Sequence, residues 1–152
     1  MIRFIVAGEP VAQGSMVAVQ SRNPGDHRTF VKASNESALR RWRRAVALAA
    51  TQAAEGRVAA PGQPVIVRVT FRFPPPAKMP KGRVAMTVAP DADKLLRACL
   101  DAMTLTEDRK GNRTGVYADD RQVVDVRAIK LYATPLNPPG AYIEVDFPEP
   151  ML

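Results

Sequence analysis

Val65-Ile66-Val67-Arg68-Val69-Thr70-Phe71-Arg72-Phe73 is the stretch on which the fold turns. Val65, Val67, Val69, Phe71 and Phe73 alternate with Ile66, Arg68, Thr70 and Arg72, the period of two that puts each set on one face of a strand. Pro61-Gly62-Gln63-Pro64 breaks the chain ahead of it. Pro74-Pro75-Pro76 ends it, since three prolines can neither pair in a central strand nor continue a helix.

Downstream, the period changes. Leu95, Leu96, Cys99, Leu100 and Met103 recur at helical spacing, and the helix that carries them begins near Asp91 to Asp93, behind Pro90. Cys99 falls within that apolar stripe and reads as a small core residue. Thr104 to Tyr117 is polar, with Gly111, Asn112 and Gly115, and predicts a loop. Gln122 to Leu131 returns to β character with Val124, Val126 and Ala128 on one face, and Tyr142 to Phe147 predicts the last strand before Pro148-Glu149-Pro150.

Upstream, Ile2 to Ala7 predicts a strand with Ile2, Phe4 and Val6 on one face. Met16 to Gln20 and Arg28 to Val31 flank a Ser-Arg-Asn-Pro-Gly-Asp turn and predict a hairpin. Ser34 is placed to cap a helix running to about Glu55, with Gly56 as its stop. Leu39, Trp42, Val46, Ala49 and Ala53 form its apolar stripe, while Arg40, Arg41, Arg43 and Arg44 occupy the other faces. Those arginines suit either a phosphate backbone or a solvated helix face. With no internal repeat and no linker, residues 1–152 read as one α/β domain.

The chain has 22 Lys plus Arg against 15 Asp plus Glu, a net charge of +7 that favours a polyanionic partner, nucleic acid first. One cysteine excludes an intrachain disulfide, and Cys99 with the single His27 cannot make a Cys/His structural zinc site. His27 sits in Asn23-Pro24-Gly25-Asp26-His27, a turn without a nucleophile motif. No stretch approaches the ~20 apolar residues of a membrane span, and the apolar run at the N-terminus is too short for a signal-peptide core. A reducing, cytoplasmic setting is the expectation.

Within this basic chain a few acids cluster: Asp91 and Asp93, then Asp119-Asp120. Clustered carboxylates repel phosphate unless a divalent cation stands between them. Asp91 and Asp93 are two apart, about 200° on a regular helix, so they converge only where the motif straddles the helix start. Each also suits a plainer role, as a cap or a first-turn acid favoured by the helix dipole. Arg97, four residues after Asp93, fits an i,i+4 ion pair or a phosphate contact. Asp119-Asp120 suits a turn, or the third ligand of a hard-cation site such as Mg²⁺, facing a loop with Arg109, Lys110 and Arg113. Lys78, Lys81 and Arg83 make the loop before Pro90 a candidate substrate-facing segment. Pro90-Asp91 with Asp108-Arg109-Lys110 superficially matches a PD…(D/E)xK nuclease pattern, but its second half lies in a Gly/Asn-containing loop instead of a strand.

Pro90-Asp91-Ala92-Asp93-Lys94-Leu95-Leu96-Arg97-Ala98-Cys99-Leu100-Asp101-Ala102-Met103, followed by Tyr117-Ala118-Asp119-Asp120-Arg121-Gln122-Val123-Val124, resembles the RusA family of Holliday-junction resolvases. Lys130 matches the lysine that ends the family's following strand, and Gly8 to Ser15 is similar to its Pro-containing first loop. The resemblance implies a mixed β-sheet packed against two main helices, in a homodimer that cuts four-way DNA junctions symmetrically with Mg²⁺ or Mn²⁺. Carried over, Asp91, Asp93 and Asp120 become the catalytic metal ligands with Asp119 beside them. The family's asparagine falls on Lys94 and its lysine on Arg97, which keeps the charge but is a poor proton donor. Lys94, Arg97, Lys78, Lys81, Arg109, Arg113 and Lys130 are the expected DNA contacts. Relatives of this type often sit in phage and prophage genomes. No membrane and no small-molecule cofactor is expected. Two rivals stand beside the nuclease reading: a non-catalytic basic DNA-binding protein with a resolvase-like fold, and an interaction protein whose charge serves solubility.

Overall fold

In the computed structural model the described residues are 1–14, 16–33, 35–79 and 81–149. In chain order they form β1 (Ile2–Ala7), β2 (Met16–Gln20), β3 (Thr29–Ala33), α1 (Glu36–Ala54), β4 (Val65–Phe73) and α2 (Ala92–Met103). Then follow β5 (Thr106–Glu107), β6 (Arg113–Thr114), a 3₁₀ turn (Asp120–Gln122), β7 (Val123–Tyr132) and β8 (Gly140–Asp146). Ser34, the expected helix cap, lies outside the described residues, as do Ser15 and Pro150.

The main sheet has the order β1-β8-β4-β7, with β4 and β7 parallel and the other pairs antiparallel. Parallel neighbours need a crossover, and α2 supplies it, so β4-α2-β7 forms one βαβ unit. Val65, Val67, Val69, Phe71 and Phe73 are all buried, as their alternation predicts, alongside Ile2, Phe4 and Val6 of β1 and Ala141, Ile143 and Val145 of β8. Each valine, isoleucine or phenylalanine among them contributes roughly 1.5–3 kcal/mol on full burial. β1 and β7 meet the two helices, which pack on each other over one face. On the opposite face Arg68 and Tyr142 stay exposed, and Ile5 is 71% exposed.

α1 ends as its sequence indicates, with Glu55 and Gly56 both at positive φ (51° and 83°). Its buried residues are Leu39, Trp42, Val46, Ala50 and Ala54; Ala49 and Ala53 are half-buried, because a 3.6-residue period drifts past a strict three-four spacing. α2 buries Leu95, Ala98, Cys99, Ala102 and Met103, with Leu96 and Leu100 half-buried. Burial pushes the Cys99 thiol up to about 12, which fits a core residue and not a reactive one.

Two expectations need correction. The segment 104–117, read as loop, contains the small β5–β6 hairpin, and Val116 and Tyr117 at its end are fully buried. The face assigned to Val124 and Val126 is not a core face at its start: they are 68% and 46% exposed. β7 is an edge strand, and its register against β4 shifts between Val123 and Asp125, so Val124 drops out of the alternation.

Candidate active site

The segment leading into α2 is laid along the free edge of β7. Ala85 bridges Leu131 in antiparallel fashion, Met86 N–H donates to Lys130 O (3.1 Å), and Tyr132 N–H donates to Val84 O (2.8 Å). A cis Ala89–Pro90 bond follows, and then Asp91 at the N-cap of α2. Lys130, near the C-terminal end of β7, donates from Nζ to Val88 O (2.6 Å) and Pro90 O (2.7 Å). On the other flank Gln13 N–H donates to Lys94 O (3.1 Å), which anchors the chain after β1 to the first turn of α2.

Asp91 occupies the cap position, yet its side chain makes no capping hydrogen bond. Its carboxylate is 62% exposed and, among the described residues, meets only the Lys94 ammonium, at 3.6 Å. Asp93 is exposed in the first turn of α2 and has no hydrogen bond or ion pair among the described residues. Two carboxylates are thus offered to solvent at one helix start, with the exposed Arg97 a turn further on. Of the two readings of Arg97, the ion pair with Asp93 is not formed among the described residues.

The second acidic pair is built from the other end of α2. Val116 N–H donates to Met103 O and Leu105 N–H to Tyr117 O (both 2.8 Å), and the Tyr117 hydroxyl donates to Leu100 O (2.6 Å). Asp119 and Asp120 follow at once. Asp119 caps the 3₁₀ turn: Oδ1 accepts from Arg121 N–H (2.9 Å), and Oδ2 accepts from the Arg121 guanidinium (3.0 and 2.8 Å). The side-chain bond to Arg121 holds this carboxyl down at about 2. Expected as a metal ligand, Asp119 is engaged as a cap. Asp120 is exposed at the mouth of β7.

Gln122 fixes this turn as the partner of Asp119 in a capping box, and the Asp-x-x-Gln spacing is the signal in the sequence that marks it. Its Oε1 accepts from Ala118 N–H (3.0 Å) and Asp119 N–H (3.2 Å), while Nε2 donates to Ala60 O (2.9 Å) and Gln63 O (3.1 Å). Arg43, read as a helix-surface cation, instead donates to Asp101 Oδ2 (3.0 Å) and to Gln13 Oε1, tying α1, α2 and the chain after β1 together. Arg40 pairs with Glu36 (3.1 Å), while Arg41 and Arg44 are exposed.

The expected DNA contacts are spread. Lys78 and Lys81 are exposed in the segment after β4, and Lys94 and Arg97 on α2. Arg109 is exposed in the β5–β6 turn, and Arg113 meets Glu107 at 3.4 Å. Asp108 caps that turn, accepting from Lys110 N–H (2.8 Å) and Asn112 N–H (2.9 Å), which leaves the PD…(D/E)xK reading without its strand.

Asp91 and Asp93 lie two residues apart at the start of α2, while Asp120 starts from the far end of that helix, 12 residues and about 18 Å long. Among the described residues, no three His, Cys, Asp or Glu side chains form a group able to hold a metal ion. The all-oxygen pair Asp91 and Asp93 nevertheless fits a hard cation, because Mg²⁺ is commonly bound by one or two carboxylates and keeps several waters.

Residues 8–146 match the family model for endodeoxyribonuclease RusA, nearly the whole chain. The chain belongs to the RusA family. No curated protein matches it. RusA membership makes it an endodeoxyribonuclease of the Holliday-junction class, a hydrolase of DNA phosphodiester bonds in a family that depends on divalent metal and binds branched DNA. The mixed sheet with two helices agrees with that fold. Among the described residues no helix is long and apolar enough to cross a membrane.

Proposed function

We propose that this RusA-family chain, acting as one domain within a homodimer, resolves four-way junctions by paired phosphodiester hydrolysis that depends on Mg²⁺ or Mn²⁺. The observation that carries the reading is the helix start at Asp91 and Asp93. Both carboxylates face solvent, and neither is used as a cap, inside an otherwise cationic chain. A helix start braced on two sides, by Lys130 and by Gln13, presents these oxygens without needing them for its own stability.

In this reading Asp91 and Asp93 hold the ion, and Asp120, at the far end of α2 in the same chain, is not one of its ligands there. The bound cation supplies an activated water and charge stabilisation at the phosphate. Arg97 forks onto a phosphate oxygen, which its always-charged guanidinium suits better than proton donation. Lys94 neutralises Asp91 until a phosphate arrives. Lys78, Lys81, Arg109 and Arg113 contact the DNA backbone, and such contacts make binding salt-dependent. A two-fold dimer matches two symmetrical cuts. Incubation with a synthetic four-way junction and a matched linear duplex, each with Mg²⁺, Mn²⁺ or EDTA, tests the proposal. Paired nicks in the junction with either metal are expected; binding without cutting under every condition would favour the non-catalytic alternative.

A further inference from the structure

Lys130 matches a position expected to touch DNA, but its ammonium is turned inward. Nζ donates to the carbonyls of Val88 and Pro90 at 2.6 and 2.7 Å, and Lys130 is half-buried. Two of three ammonium donors are therefore spent on backbone oxygens. Pro90 O belongs to the peptide that joins directly to Asp91, so the contact fixes the last bond before the candidate ligand. The segment has little else to hold it there. Its backbone bonds to β7 stop at Met86, and Val84, Val88 and Ala89 are exposed. Between Met86 and α2, Lys130 is the one side chain among the described residues that hydrogen-bonds the segment.

We propose that Lys130 is a positioning residue: its ammonium clamps residues 88–90 to β7 and so sets where Asp91 and Asp93 present their carboxylates. The inference rests on the metal-site reading of those two aspartates. Partners that orient metal ligands typically matter by 10–100-fold in affinity or activity when removed. Arginine at the same place retains several donors for the two carbonyls, whereas methionine keeps the length and loses every donor.

Lys130→Met and Lys130→Arg are compared with the wild-type chain by amide hydrogen exchange without metal or DNA, by Mn²⁺ affinity from electron paramagnetic resonance, and by junction binding in EDTA. Lys130→Met should speed exchange across residues 86–95 about tenfold while β4 and β8 hold, and weaken Mn²⁺ about tenfold or more. Junction affinity in EDTA should stay within about twofold, and Lys130→Arg should restore most of the loss. Unchanged exchange together with a large drop in EDTA binding would make Lys130 a DNA contact and overturn the clamp. Should Lys130→Met fail to fold, Lys130→Arg decides: exchange across 86–95 as slow as wild type supports the clamp, and fast exchange in a folded protein refutes it. Loosened exchange in Lys130→Met, with no cutting even by the wild-type chain, would support the clamp and count against the endonuclease reading.

Discussion

Replacing Gln122 by alanine should unsettle the platform that carries Asp119 and Asp120. One amide joins two N–H groups of the Ala118–Asp119 turn to two carbonyls of the 60–63 turn. Each bond is worth about 0.5–1.5 kcal/mol net. Those to Ala118 and Ala60 are exposed, so water replaces them at little cost; those to Asp119 and Gln63 are partly buried and leave a donor and an acceptor poorly satisfied. The expected loss is about 2–3 kcal/mol. For a domain of this length that is roughly 5–10 °C in Tm. Gln122→Glu should be no better, since its second carboxylate oxygen would face the Ala60 and Gln63 carbonyls. Thermal and urea denaturation, with junction cleavage under the same conditions, give the readout. A Gln122→Ala protein melting within about 2 °C of wild type would refute the four-bond account.

Other outcomes follow from the same geometry. Gly115 sits at φ +114°, and a Cβ there would lie 2.7 Å from the Leu105 backbone, so Gly115→Ala must part the strand-like contact between 104–105 and 116–117. It should cost about 3 kcal/mol or more. Gly62→Ala, at φ +77° with open space around it, should cost only about 1–2 kcal/mol; equal melting temperatures for the two would contradict this. Asp119, held at about 2 by Arg121 against an ordinary 3.8, stabilises the fold at pH above its unfolded value. That contribution fades as pH falls from about 4 to 2. Asp119→Asn should flatten the wild-type decline in Tm across that window, measured at matched salt; an identical decline would remove Asp119 from the account.

Much of the architecture was legible because it rests on local periodicity. β4 alternates without a break, α2 repeats at helical spacing, and proline or glycine marks most of the ends. Legibility failed where burial depends on what lies across the fold. Val124 and Val126 alternate as core residues do, yet they lie at the start of an edge strand whose register against β4 shifts at Val124. Tyr117 looks like the end of a polar loop and is fully buried, because its hydroxyl has Leu100 O as a partner 17 residues away. The site divides in the same way. Asp91 and Asp93 were visible as exposed acids in a recognisable motif. The capping-box spacing Asp119-x-x-Gln122 separates Asp119 from Asp120, but the guanidinium that engages Asp119 is placed by the turn itself. Lys130 and Gln122 act on backbone carbonyls 40 to 62 residues away, and such bonds leave no spacing to read.

The most direct measurement follows strand cleavage of a labelled four-way junction by the wild-type chain and by Asp93→Asn, with Mg²⁺, Mn²⁺ or EDTA, beside junction affinity measured in EDTA. Wild-type cutting with either metal and none in EDTA is expected, while Asp93→Asn loses at least about a hundredfold in rate and binds the junction as tightly as before. Cleavage that persists in Asp93→Asn, or proceeds unchanged in EDTA, would contradict a metal held at the start of α2.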